Sequence, residues 1–206
     1  MEKYAITIGR QLGSGGKLTG ELLSQRLGIP CYDKELIQIA SMESGLGKEF
    51  FERADEKNSI SILGNYISFR SGFMGYTEIN YLSNEMLFKI QSDVIRNLAE
   101  KESCIFVGRC ADYILRNYKH CLKIFICAGM SDRIQRICKD CSIPEKEAKT
   151  LIEQTDKKRA SYYNYFSNKT WGEAISYDIC FNSSILGIEN IVGLIENFVK
   201  SNFNER

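Results

Sequence analysis

Histidine, net charge and long apolar runs are all scarce in this sequence, and each shortage closes off a class of function. The only histidine of the 206 residues is His120. A zinc site would need further histidines or a second cysteine pair, and of the eight cysteines only Cys138 and Cys141 form a CxxC. The cysteines therefore read as small core residues, reduced in a cytoplasmic protein. Lys and Arg number 27 against 26 Asp and Glu, a formal net charge of +1. That balance argues against a chain built to coat nucleic acid or an anionic membrane, and leaves room for a local basic pocket that takes a small anion. No stretch of 18 apolar residues occurs, so no membrane span is expected. "MEKYAITIG" has neither a charged leader nor a long apolar segment, and cytoplasmic localisation is expected. Nothing in the composition opposes a homo-oligomer.

What is present is a rhythm of short apolar runs and helical patterns. Residues 4–8 read as a strand, "GRQLGSGG" as a loop, and Leu18, Leu22, Leu23 and Leu27 as one face of a helix capped by Gly28. Pro30 opens a second short strand, and 33–43 reads as a helix. Residues 44–82 are irregular, with helical pieces and a mobile stretch. Residues 83–101 form an amphipathic helix, "CIFVG" (104–108) a buried strand with a helix beginning near Arg109, and "CLKIFICA" (121–128) another strand followed by a helix from Ser131. "SIPE" (142–145) reads as a capping box, with Ser142 as N-cap of a helix running past Arg159. "YDICF" (177–181) is the last strand, and "GIENIVGLIENFVK" the closing helix. Such repeats predict an α/β domain over 1–206 with a parallel sheet covered on both faces.

The first loop is the informative one. A strand that delivers glycines into a helix N-terminus is built to hold phosphate, because backbone N–H groups and the helix dipole converge on the anion. The common pattern G-x-x-x-x-G-K-[ST] does not fit: Gln11 stands five before Gly16, and Leu18 follows Lys17. Two registers remain open. In one, Lys17 is the phosphate lysine with Thr19 as the nearby hydroxyl. In the other, Gly13-Ser14-Gly15 makes the turn, Gly16 takes the lysine position, and Arg10 supplies the charge. Mg²⁺ would be held through Ser14 or Thr19, and the pattern does not choose between them.

With the loop in place, "ITIGRQLGSGGK", "LGIPCYDKELI", "IFVGRCADYIL", "TDKKRASYY" and "YDICFNSSILGIENIV" together resemble the cytidylate kinase-like family, relatives of the P-loop nucleoside monophosphate kinases. The resemblance covers nearly the whole chain. It implies a P-loop NTPase-type parallel sheet flanked by helices, with a helical monophosphate-binding insertion (44–82, acceptor side) and a short helical lid (130–172). It implies ATP and Mg²⁺ as cofactors and nucleotides as substrates. By motif match, Asp33 lies near the acceptor nucleotide and Arg109 of "GRC" holds the acceptor phosphate. Arg133 and Arg136 sit as lid arginines near the donor phosphates, and Asp156 and Arg159 of "DKKR" contact the acceptor. Lys17, Arg109, Arg133 and Arg136 are thus the catalytic candidates. Arg10, Gly13, Ser14, Gly15, Gly16, Lys17 and Thr19 are the candidates for holding the donor. Cys110 replaces the aspartate of the family's "GRD", and Asp112, two residues on, is the nearest carboxylate. Ile152 stands where the family usually has an arginine.

The chemistry suits these residue types. Phosphoryl transfer needs positioning and charge neutralisation more than covalent catalysis. A phosphate acceptor, with its second pKa near ~6, is largely ionised at neutral pH and requires no general base. A hydroxyl acceptor would want one, and Asp33 is then the carboxylate to suspect. "KKRASYYNYFSNKTW" (157–171) interleaves cations and aromatics as a single-strand-binding surface does, but its cluster is short. It reads as a lid helix packing its tyrosines on the core, and nucleic acid is not an expected partner.

Overall fold

The computed structural model describes residues 2–33 and 79–203. The helix expected at 33–43 falls, beyond Asp33, outside the described residues, as does the irregular segment through residue 78.

The chain divides into two compact units, residues 1–34 with 96–206, and residues 35–95. The first carries a five-stranded sheet built from β1 (Ala5–Arg10), β2 (Cys31–Tyr32), β3 (Cys104–Val107), β4 (Cys121–Cys127) and β5 (Ile179–Asn182). All neighbours are parallel, in the order β2-β3-β1-β4-β5. Among the described residues the helices are α1 (Gly16–Leu27), α2 (Ile79–Lys101), α3 (Ala111–Ile114), α4 (Met130–Cys141), α5 (Glu145–Ser167), α6 (Ser183–Leu186) and α7 (Ile188–Phe203), with a 3₁₀ turn at Ala174–Ser176. The described part of the second unit is the N-terminal portion of α2, where Ser92 Oγ donates to the Phe88 carbonyl at 2.7 Å.

Strand alternation sets one face of the sheet. Ile6 and Ile8 of β1, Ile105 and Val107 of β3, and Leu122, Ile124 and Ile126 of β4 share a single buried cluster with Leu23 of α1 and Ile191, Val192, Ile195 and Val199 of α7. The first and last long helices of the chain thus lie side by side on the sheet, because each supplies an apolar stripe at helical spacing. Gly20 permits the close seat of α1: a Cβ there would stand 2.9 Å from Val107 Cγ2 and 3.1 Å from Cys31 Sγ.

Two local expectations are corrected, and one short element was not expected. The capping box at Ser142 is not formed: Ser142 closes α4 in the left-handed region (φ 55°), and α5 starts at Glu145 behind Pro144. Proline at that boundary supplies a fixed φ and an extended ψ of 155°. The helix expected near Arg109 starts at Ala111, because Gly108, Arg109 and Cys110 are all left-handed (φ 83°, 58° and 53°). The short helix α6 has no expected counterpart; Asn182 caps it by accepting the Ser184 amide at 3.0 Å.

Candidate functional site

In a parallel sheet every strand ends at the same edge, and the loops there collect whatever the chain uses on ligands. At this edge β1 ends in Arg10, β3 in the turn Gly108-Arg109-Cys110, and β4 in the segment that leads to α4. His120 precedes β4 and so lies at the opposite end, where its ring pairs with Glu2.

The β1–α1 loop needs its glycines for two reasons. Gly13 and Gly15 are left-handed (φ 76° and 83°), a region that costs most residues energy. A Cβ at Gly13 would also meet the Arg133 carbonyl oxygen at 2.8 Å, and one at Gly15 would meet Ile188 Cδ1 at 2.5 Å. Gly15 is the N-cap of α1 and has no side chain to satisfy the first helical amides. Among the described residues, nothing accepts a hydrogen bond from the amides of Gly13, Gly15 or Gly16.

The two glycine-lysine registers differ in where the cations stand. Lys17 Nζ lies 3.0 Å from Asp33 Oδ2 and 4.0 Å from Glu21 Oε1, with the side chain 61% exposed. It leans along its own helix toward the end of β2. Arg10 instead occupies the space beside the first turn of α1. A Cβ on Gly16 would fall 2.4 Å from Arg10 Cβ, and one on Gly108 would fall 1.9 Å from Arg10 Nη1. Two missing side chains therefore make the slot through which Arg10 runs from the end of β1 to the β3 turn.

Arg109 leaves that turn with its guanidinium carbon 5.9 Å from the Tyr162 ring centroid, a cation–π distance. Burial pushes the Tyr162 phenol up to about 12, against the pull of Arg109. Asp112 is turned away from the edge. It is 7% exposed and accepts the Tyr163 hydroxyl at 2.7 Å. Burial raises its carboxyl above the usual range, opposed by that hydrogen bond.

The remaining candidates converge on the loop itself. Arg133 Nε donates to the Leu12 carbonyl at 2.7 Å, and its Nη2 pairs with Asp156 Oδ2. Asp156 Oδ1 accepts the Leu12 amide at 2.9 Å. Arg136 Nη1 donates to the Gly13 carbonyl at 2.9 Å and to Ser183 Oγ at 3.1 Å. Arg159 Nη1 donates to the Arg10 carbonyl at 3.0 Å, and burial lowers its pKa. Ser14 and Thr19 are wholly buried, and their hydroxyls donate to the carbonyls of Gln11 (2.8 Å) and Gly15 (3.0 Å). A hydroxyl that donates to a carbonyl keeps its oxygen lone pairs, and at 0% exposure both oxygens are shielded from solvent by the loop around them.

Sequence reasoning missed three members of this set. Ser183 donates to the Ser14 carbonyl at 2.7 Å, and Gln11 Oε1 accepts the Ala128 amide at 3.1 Å. Tyr163 joins α5 to Asp112. Gln11 could have been suspected as a polar side chain inside the loop; Ser183 and Tyr163 carry no local signal.

A parallel sheet in the order 2-3-1-4-5, with a glycine loop turned into the first helix, is the P-loop NTPase-type fold. A family model described as the cytidylate kinase-like family matches residues 5–185. This chain belongs to that family. It is 27% identical over 195 residues to a cytidylate kinase of Methanobrevibacter smithii, covering 95% of this chain and 98% of the relative. An uncharacterized protein from Eubacterium ventriosum has a crystal structure that superposes with a TM-score of 0.73 at 26% identity, over 97% of this chain and 100% of the other. Shikimate kinase from Bacteroides thetaiotaomicron shares the fold, with a TM-score of 0.50 at 16% identity over 96% and 98% of the two chains. Among the described residues no helix is long and apolar enough to cross a membrane.

Proposed function

We propose that this protein transfers the terminal phosphoryl group of ATP to a nucleoside monophosphate of the cytidylate kind. The observation that carries the reading is the loop at residues 10–17. Its amides at Gly13, Gly15 and Gly16 open the N-terminus of α1, and the Arg10 side chain runs past it to the β3 turn that bears Arg109. Family membership and the cytidylate kinase relative support a nucleotide kinase.

In this reading the amides and the α1 dipole bind the donor polyphosphate, and Arg10 rather than Lys17 is the cation beside it. Arg109 takes the acceptor phosphate, held in place by its left-handed turn and the Tyr162 ring. The two arginines balance charge on the transferred group, and the acceptor phosphate is ionised without a base. Mg²⁺ would supply further charge neutralisation, bound through phosphate oxygens and water rather than through Ser14 or Thr19. Asp33, tied to Lys17, borders the acceptor side.

One observation favours a second reading. Lys17 sits on Asp33 and Glu21, so the loop lacks a lysine in the usual register, as in a protein that binds nucleotide without transferring phosphate. Release of ADP from Mg-ATP, followed by a coupled assay across the common monophosphates, separates the two. Turnover with a pyrimidine monophosphate supports the kinase. Thermal stabilisation by nucleotide without any turnover supports the binding protein. Neither response would remove both readings.

A further inference from the structure

Arg133, Arg136, Asp156 and Arg159 resemble substrate contacts, yet each is engaged with the main chain of residues 10–13. The carbonyls of Arg10, Leu12 and Gly13 accept from Arg159, Arg133 and Arg136, and that of Ser14 accepts from Ser183. Asp156 closes the arrangement: one carboxylate oxygen takes the Leu12 amide and the other takes Arg133. The Leu12 residue is therefore gripped at both its N–H and its C=O by one ion pair.

The peptide plane turns this grip into a presentation device. In a trans peptide the carbonyl of one residue and the amide of the next point in opposite directions, and no described peptide is cis. Holding the Leu12 carbonyl against Arg133 turns the Gly13 amide the other way. Holding the Ser14 carbonyl against Ser183 turns the Gly15 amide likewise. Those two amides are ones that no described group accepts. Arg133 is 4% exposed, with its Nε and one Nη engaged, which leaves it poorly placed to meet a phosphate.

We propose that Arg133 and Asp156, seconded by Arg136, Arg159 and Ser183, are positioning residues that hold the β1–α1 loop by its outward carbonyls. In this role α4 and α5 are a fixed brace behind the loop, not a lid whose arginines move onto the donor phosphates. The inference rests on the reading of the loop as a polyphosphate cradle.

Amide-resolved hydrogen exchange on the full chain, with sodium tripolyphosphate as probe, tests it. The Leu12 amide is expected to exchange slowly without ligand and to stay slow when the probe is added. The Gly13 and Gly15 amides are expected to exchange fast alone and to slow with the probe. A Leu12 amide that is fast at the outset, or that speeds up on adding tripolyphosphate, overturns the brace, because the second result means that the arginines leave the loop for the ligand. Slow Leu12 exchange with no effect of tripolyphosphate on Gly13 or Gly15 keeps the brace and removes the cradle reading. Arg133→Lys breaks the forked geometry and is expected to weaken tripolyphosphate about tenfold, as for loss of a charge-assisted hydrogen bond. Asp156→Asn keeps an acceptor for Leu12 and is expected to retain more affinity than Asp156→Ala. Wild-type affinity in Arg133→Lys, or equal losses in the two Asp156 variants, would count against the proposal. Should these variants fail to fold, the exchange pattern of the wild-type chain decides alone.

Discussion

Lys17 Nζ lies 3.0 Å from Asp33 Oδ2, so the lysine of the glycine loop is bound to the residue that follows β2. Arg10, from β1, fills the space beside Gly16 instead. The roles of the two cations can be separated by substitution. Arg10→Ala is expected to lower kcat/KM by about a hundredfold or more, the scale of losing one transition-state donor. Lys17→Ala should cost less than about tenfold, because the exposed pair it breaks is weak. Steady-state kinetics with Mg-ATP as the varied substrate checks this; a greater loss at Lys17 restores the other register.

Gly108 and Gly28 form a controlled pair. Both are left-handed (φ 83° and 66°), but a Cβ at Gly28 meets nothing within 4 Å, whereas one at Gly108 collides with the Arg10 guanidinium. Gly28→Ala should cost about 1–2 kcal/mol, the left-handed penalty alone. Gly108→Ala should cost at least that and also weaken nucleotide binding, as Arg10 must move. Urea unfolding and nucleotide titration read the two effects; a Gly108→Ala protein with unaltered nucleotide affinity would show that the place of Arg10 does not matter.

Asp112 and Tyr163 predict a pH dependence. Burial raises the Asp112 carboxyl above its unfolded value, so the folded state binds the proton more tightly than the unfolded one. Its contribution is complete below the unfolded pKa and is lost as pH rises through the folded pKa, above which stability levels off. Asp112→Asn is expected to remove that part of the slope. Tyr163→Phe takes away the hydrogen bond that opposes the shift and moves the loss to higher pH. It should also cost about 1–3 kcal/mol for an unsatisfied buried oxygen. Urea titrations from acid to neutral pH measure both, and a slope unchanged by Asp112→Asn would contradict the assignment.

The thiols should divide by burial. Cys104 and Cys121 are pushed up to about 12, chiefly by desolvation, and Cys110 is raised by burial and by Asp112. Cys141 and Cys180 are exposed, the Cys180 thiol being raised by partial burial. An aromatic disulfide reagent at neutral pH should label Cys141 first, Cys180 more slowly, and the buried Cys104 and Cys110 only on unfolding. Peptide mapping of the labelled protein checks the order, and early modification of Cys104 would mean that β3 opens in the native state.

The strands and the long helices of this protein were readable because their information is local. "AITIG", "CIFV" and "CLKIFIC" declare themselves by apolar runs, and α1 and α7 by helical spacing. Gly13 and Gly15 announced a turn by their residue type, and the loop between β1 and α1 is where the pattern placed it. Ser142 misled because Pro144, not Ser142, is the N-cap of the helix that begins at Glu145, and Ser142 closes the helix before it. Asp112 also looked like a substitute carboxylate at the sheet edge, but Tyr163, 51 positions later, draws it inside.

The sequence alone determined that a parallel α/β sheet would carry a glycine loop into its first helix, because those features depend on residues within a few positions of one another. Tertiary structure alone decided where Arg10 and Lys17 lie and what Arg133 and Asp156 touch. The Leu12 peptide meets those side chains across 121 and 144 positions of chain. Contacts of that separation arise only when α4 and α5 fold back over the sheet edge, and no local spacing encodes them.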